Sequence, residues 1–461
     1  MRYLNLMLGG LAALSMLSGP MAWAAPTAEE AAQLGHTLTP FGAIKAGNEA
    51  GTIPEWTGGI CAPPAGYAPI RGAQAGGGPY IDPFASEKPL FRISAADVGK
   101  YADKLDEGTK ELLRRNPDSF HVDVYPTHRT ACFPEWMYEN TIKRVMNPEI
   151  VGGKVPSLSN AHAQIPFPIP KTGVEALWNA NVKPEAVYTE ILFDVTLVDT
   201  SGTSTLVSRQ TIYNQNNYWD NSKTSLPEGQ PYWELIQKSV APASQVGVAQ
   251  MRHYLLRPDL KDPPTWAYVP GQRRVRLAPE FSYDGVSTTS GGILLFDEIN
   301  GFDGKMDRYD FKLVGRKEMY LPYNTYKYYM ASSKEALGPR HHNPDLLRFE
   351  LHRVWVVEAT LKEGERHVQK RKVFYIDEDS WNVITYTGFD HADKVHHAMY
   401  LYSIQAYDKP EIRNTQYVLY DFNKGAYLDQ NRMSSGPGVW RVAPYPANFF
   451  TPGSLAGSGV R

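Results

Sequence analysis

What most constrains this chain is a series of period-two segments running from about Val187 to Phe422. In "EILFDVTLV" (190–198), Ile191, Phe193, Val195 and Leu197 alternate with Leu192, Asp194 and Thr196, the pattern of a half-buried strand. Asp199–Gly202 marks a turn, and "STLVSRQTIYNQNNYWD" can return as the hairpin partner. Similar segments follow: "QMRHYLLRP", "TWAYVPGQRRVRLAP", "DFKLVGRKEMYLP", "RFELHRVWVVEATLK", "HVQKRKVFYIDEDSWNVITYTGF", "HHAMYLYSIQAYD" and "NTQYVLYDF". Short polar turns, among them Lys362–Glu365 and Asp377–Ser380, join most of them. Successive strands on short turns predict an antiparallel meander rather than parallel βαβ units. About ten or eleven such strands in series would curl strongly or close into a barrel-like sheet.

Helix signals precede the strands. Ser94 stands three residues before Asp97, much like a capping box, and Val98, Tyr101, Leu105 and Leu112 share one face until Asn116-Pro117 ends the run. Further helices are predicted over Pro134–Met146 and about Gly173–Ala180. Residues 25–93 are rich in Gly, Pro and Ala, a composition that buries little apolar surface alone, so this segment is expected to wrap a core built elsewhere. The predicted organisation is a signal peptide at 1–24, the wrapping segment at 25–93, and one large sheet domain at 94–461 with helices at about 94–182.

The signal-peptide reading rests on Arg2, the apolar run from about Leu4 to Leu17, and the small residues Ala22 and Ala24 around Trp23, with cleavage expected after Ala24. The remainder carries 46 bases against 49 acids, a near balance that argues against nucleic acid as a main partner. Cys61 and Cys132, the two cysteines of an exported chain, are expected to form a disulfide, worth about 4 kcal/mol in the chain-entropy model.

Enzyme signatures are mostly absent: no G-x-S-x-G elbow, no phosphate-binding loop and no H-E-x-x-H occurs. "STTSGG" (287–292) reads as a turn. His341-His342 and His391 with His396-His397 are the closest histidine sets, but neighbours on a strand point to opposite faces, so no metal site is expected from them. "FDEINGFDGKMDRYDF" (296–311) holds five acids, yet neither register from Asp297 nor from Asp303 matches a calcium-loop pattern. The reading for it is an ion-paired turn in which Asp297, Glu298, Asp307 and Arg308 form a network with Arg273, Arg274 and Arg276 upstream. No catalytic residue and no cofactor is assigned.

Five blocks together resemble a known family of exported bacterial proteins, domain of unknown function 1329. They are "LTPFGAIKAGNEAGTIPEWTGG" (38–59), "RRVRLAPEFSYDGVSTTSGG" (273–292), "FDEINGFDGKMDRYDFKLVGRKEMYLPYN" (296–324), "NPDLLRFELHRVWVVEATLK" (343–362) and "RKVFYIDEDSW" (371–381). The family is similar in fold to the carrier and receptor of the lipoprotein-sorting pathway. The resemblance implies a mainly β fold with helices (α+β), a strongly curved antiparallel sheet in a half-open barrel, lidded by helices, whose concave face takes acyl chains. It further implies a periplasmic place beside an inner-membrane RND-type transporter and outer-membrane proteins.

A carrier needs a concave apolar surface on which cargo leaves water without unpaired polar atoms opposing it. Trp355, Val357, Leu361, Tyr375, Tyr400, Tyr402 and Tyr420 are the candidates to line it. The leading expectation is a non-enzymatic periplasmic carrier or adaptor for hydrophobic or lipid-like molecules. A glycan or envelope-polymer binder comes second, and a metal-dependent or esterase-like hydrolase third.

Overall fold

The computed structural model describes residues 25–68, 80–433, 439–440 and 443–457; the signal-peptide reading of residues 1–24 lies outside them. Ahead of the long strands come α1 (Ala28–Ala31), β1 (Phe91–Ile93), α2 (Glu107–Arg115), β2 (Val122–Val124), α3 (Glu135–Arg144), β3 (Glu149–Val151), β4 (Ser157–Ser159) and α4 (Gly173–Asn181). The helices α3 and α4 lie where periodicity places them. The helix expected from Ser94 is broken in two. Ser94 N does donate to Asp97 Oδ2 at 3.0 Å, but it caps only a 3-10 turn at Ala95–Asp97. A second, buried cap restarts the chain as α2, where Asp106 Oδ1 accepts from Thr109 N at 3.0 Å.

A first meander follows: β5 (Tyr188–Val198), β6 (Ser204–Asn216), β7 (Trp233–Ala241), β8 (Ala249–Tyr254), β9 (Thr265–Val269) and β10 (Arg274–Leu277). Beyond the acidic stretch come β11 (Tyr309–Pro322), α5 (Tyr326–Met330), α6 (Ser333–Ala336), β12 (Phe349–Leu361), β13 (Arg371–Asp377), β14 (Val383–Phe389), β15 (Val395–Gln405), β16 (Ile412–Asp421), β17 (Ala426–Arg432), β18 (Val439–Trp440) and α7 (Pro452–Gly457). The pairing of β17 with β5 welds the two meanders into one sheet of 16 strands. From β11 to β17, then β5 to β10, every pairing is antiparallel; a single parallel pair, Phe349 with Val124, brings in β2.

The sheet curls without closing, because β10 pairs with β9 and β11 with β12 rather than with one another. Its curvature follows from the segment at 302–303. Phe302 packs edge-on against Phe374 of β13 at 5.7 Å, while Asp303 Oδ2 accepts from Arg252 Nη1 of β8 at 2.7 Å. In a flat sheet those strands, eight spacings apart, would be separated by roughly 38 Å. Helix α4 spans the same trough. At one end, the Cβ that Gly173 lacks would sit 2.8 Å from the backbone of Phe311; at the other, Trp178 packs against Tyr232 at 6.5 Å.

The apolar inner faces of β12 to β17 meet α4 in one core that includes Val357, Phe374, Tyr386, Met399, Leu419 and Leu428. The outer faces are buried as well, under α2, α5 and the segment around His342, which explains the near-continuous burial of β13 to β16.

The Gly/Pro-rich segment is held by side chains of β11 and β12, of the β13–β14 turn and of the chain after β2. Its backbone carbonyls accept from Trp381 (Phe41 O, 3.0 Å), Arg316 (Gly42 O, 2.7 Å), Arg129 (Lys45 O, 3.0 Å) and Arg353 (Ala46 O, 2.9 Å). This is how an irregular backbone satisfies polar groups that no ladder pairs. Gly42, at φ +90°, is required there, since a Cβ would lie 1.8 Å from Pro168 O. The arginines converge on the β13–β14 turn, where Arg129 forks onto Asp379 at 2.6 and 2.9 Å and Glu378 lies within 3.7 Å of three guanidinium groups. The expected disulfide, Cys61–Cys132, is formed, with Cα atoms 5.5 Å apart.

Candidate functional site

Between the β7–β8 limb of the sheet and the segment 279–305 lies a cleft of about 290 Å³. Its walls are mainly apolar and aromatic: Trp178 from α4, Tyr232, Trp233 and Tyr254 from the β7–β8 limb, and Phe281 and Phe302 from the roof. Trp233 and Tyr254 stack at 4.6 Å, which fixes both rings. A smaller cavity of about 100 Å³ continues inward along the concave face and shares Trp233, Arg252, Tyr254, Ile299 and Asn300 with the first. The roof approaches the sheet closely at Gly301, at φ +94°, where a Cβ would lie 2.9 Å from Val383.

One charged pair stands at the junction of the two cavities. Arg252 Nη1 donates to Asp303 Oδ2 at 2.7 Å, and the Tyr254 hydroxyl donates to the same oxygen at 2.9 Å. Burial pushes the Asp303 carboxyl above its ordinary range against the pull of Arg252. Arg252 also lies over the Phe296 ring at 4.9 Å. The junction therefore offers a polar contact beside the aromatic wall, and further polar side chains, among them Lys183, His253 and Lys305 in the larger cleft and Gln237 and Arg413 in the smaller, line the two cavities.

The acidic stretch has its counter-charges elsewhere than in Arg273, Arg274 and Arg276. It folds inward over Phe296–Gly301 as short turns kinked at Ile299 and Asn300, which buries Asp297 and Glu298. Lys372 Nζ donates to Asp297 Oδ2 at 2.5 Å and His367 Nε2 approaches it at 3.0 Å. Glu298 faces His397 Nδ1 at 2.8 and 2.9 Å and accepts from Gln369 Nε2 at 2.6 Å. Although burial alone would push the His397 imidazole down, Glu298 and Asp421 push it up to about 9. Asp307 accepts from the Tyr283 hydroxyl at 2.7 Å, and Arg308 stacks over that ring at 3.4 Å. Arg276 pairs with Glu280, Arg273 ends the β9–β10 turn at φ +51°, and Arg274 opens β10.

The seven residues singled out as cavity candidates do not share one face. Trp355, Val357 and Leu361 lie on the inner side of β12, where α4 fills the trough; Trp355 stacks on Trp381 at 6.3 Å under Arg316. Tyr375, Tyr400, Tyr402 and Tyr420 point outward, and the Tyr400 hydroxyl lies 2.6 Å from Thr109 Oγ1 of α2. None of the seven lines either cavity. Some of the residues that do line them, among them Phe193, Arg252, Tyr254 and Tyr417, lie on segments read as strands; others, at 231–233 and 281–283, lie outside any predicted element, where the aromatic residues Tyr232, Trp233, Phe281 and Tyr283 are the available signal.

Among the described residues no helix is long and apolar enough to cross a membrane. The family described as "Protein of unknown function (DUF1329)" matches residues 92–456. An uncharacterized protein of Pseudomonas aeruginosa, PA3922, is 36% identical over 461 residues, covering 98% of each chain. Among solved structures, a domain from Vibrio parahaemolyticus assigned to outer membrane lipoprotein sorting aligns with TM-score 0.43 at 12% identity, over 62% of this chain and 98% of that one. A DUF1329 family protein from Desulfovibrio piger aligns with TM-score 0.42 at 13% identity, over 61% and 97%.

Proposed function

Starting from the chain's membership of the DUF1329 family, we propose that it is a non-enzymatic carrier or adaptor that holds a hydrophobic, lipid-like molecule in the cleft beneath residues 279–305. The observation that carries this reading is the aromatic cleft of about 290 Å³ inside an open, curled sheet, near the lower end of typical ligand-pocket volumes. An acyl or ring system there would leave water at roughly 25 cal/mol per Å² of apolar surface, while Arg252 and Tyr254 meet a polar end. The signal-peptide pattern at 1–24 and the Cys61–Cys132 disulfide support an exported, periplasmic setting. Work beside an inner-membrane RND-type transporter and outer-membrane proteins completes the proposal. The polymer-binding alternative has less support, because every Trp, Tyr and Phe whose side chain is described is buried or half-buried, with no exposed strip among them.

The test is native mass spectrometry of protein purified gently from its own host, followed by titration of delipidated protein with a fluorescent long-chain fatty acid. A co-purifying apolar ligand and saturable one-to-one binding are expected. Ligand-free spectra together with no saturable binding would sink the carrier reading.

A further inference from the structure

We infer that His396, His397 and Asp421 form a site for a divalent transition metal of the zinc type. Regular β geometry would send the two histidines to opposite faces. Here the β14–β15 register slips between Gly388↔His397 and Phe389↔Val395, which makes His396 the extra residue of a bulge. The two rings consequently stack, with centroids 3.9 Å apart.

The second observation is a buried nitrogen that makes no hydrogen bond and faces a carboxylate. Glu298 occupies Nδ1 of His397, so Nε2 is the ring atom left over, and among the described residues it has no hydrogen-bond partner although the side chain is 1% exposed. It points at Asp421 Oδ2, 3.5 Å away, and His396 Nε2 lies 4.0 Å from Asp421 Oδ1. One donor atom from each residue falls within 4.8 Å of the others, so contraction by about an ångström would bring all three to zinc-bonding distance.

Two imidazoles and one carboxylate suit zinc better than calcium or magnesium, which prefer all-oxygen shells. The outer shell is also in place. Glu298 orients His397 as carboxylates orient metal-bound histidines, and the backbone N–H groups of Asn423 and Lys424 hold Asp421 Oδ1 at 3.0 and 2.9 Å. Lys424 Nζ sits 3.4 Å from Asp421 Oδ2, but its side chain is 56% exposed and can swing away. Glu298 immediately precedes Ile299 in the cleft roof, so a bound ion would tether that roof to β15 and β16.

The experiment is a calorimetric titration of the metal-free full chain with zinc chloride, repeated with cobalt to read the visible bands of a four-coordinate site. Wild type should bind one equivalent and gain thermal stability. His396→Gln, whose ring makes no contact with Glu298, should weaken binding by roughly 100-fold and abolish the zinc-induced rise in Tm, while its Tm in chelator stays that of wild type. Lys424→Ala should bind at least as tightly as wild type. Absence of stoichiometric binding at about 100 μM zinc, or wild-type zinc affinity in both His396→Gln and His397→Gln, would overturn the inference. His397 would then be a doubly protonated ring held between Glu298 at Nδ1 and Asp421 at Nε2.

Discussion

Lys372 Nζ lies 2.5 Å from Asp297 Oδ2, and both side chains are at most 4% exposed. The two residues are 75 positions apart, so the pair fastens the acidic stretch to β13 and with it the roof of the cleft. Breaking a buried pair on one side strands the other charge, at a cost of about 3–5 kcal/mol. Asp297→Asn should therefore lose about that much unfolding free energy in urea, while Asp297→Asn combined with Lys372→Met should recover at least half of the loss. A double variant no more stable than the single one would show that the pair is not what holds the roof.

The same contact sets an acid dependence. Burial alone would raise the Asp297 carboxyl, but Lys372 and His367 hold it well below the ordinary carboxylate range. A depressed folded value means that the ionised group favours folding fully above the unfolded value of about 3.9, and that this contribution fades as pH falls through the folded value. Wild type should thus lose stability more steeply than Asp297→Asn below about pH 4. Urea midpoints that run parallel for the two proteins down to acid pH would contradict the assignment.

Arg129 connects the Gly/Pro-rich segment to the sheet. Its fork grips Asp379, and its remaining donor reaches Lys45 O at 3.0 Å. Arg129→Ala should cost about 3–5 kcal/mol and expose residues near Lys45 to limited proteolysis, and Arg129→Lys should rescue little, because an ammonium cannot make the fork. Unchanged cleavage patterns in Arg129→Ala would mean that Trp381 and Arg353 suffice to hold the segment.

Reduction of Cys61–Cys132, 71 residues apart, should loosen the same region. The chain-entropy model gives about 4 kcal/mol for a loop of this size. Urea midpoints measured with and without reductant would show it; coincident curves would place the segment's anchorage in the arginine network alone.

The long strands were legible because β5, β6 and β12 to β16 alternate or carry β-branched and aromatic runs that no helix would use. The strand β17 was not, since its buried positions include Asp429, Gln430 and Arg432, which read as a polar turn. Likewise β7 mixes Glu234, Gln237 and Lys238 into its run. The cavity candidates fall on two faces of the sheet for a different reason: both faces of β13 to β16 are buried, so hydrophobicity alone does not tell the trough from the outside. The acidic stretch was legible as an ion-paired element, but its partners His367, Lys372 and His397 lie 70 to 99 residues downstream, beyond any local pattern. The geometry that sends His396 and His397 to opposite faces holds for regular pairing and fails at the bulge, where the two rings stack.

Trp233 belongs to both cavities and stacks on Tyr254, which in turn bonds Asp303, so one ring joins the apolar wall to the polar junction. It is half-buried on β7, so truncation removes cleft wall rather than central core. Trp233→Ala should weaken binding of a fluorescent long-chain fatty acid about tenfold, the equivalent of about 1.4 kcal/mol, with a smaller change in thermal stability than Asp297→Asn. Tyr400→Phe, on the outer face, should leave that affinity unchanged and report only the lost contact with Thr109. Equal losses of affinity in both variants would move the ligand away from the cleft; loss confined to Trp233→Ala would locate it against the β7–β8 wall.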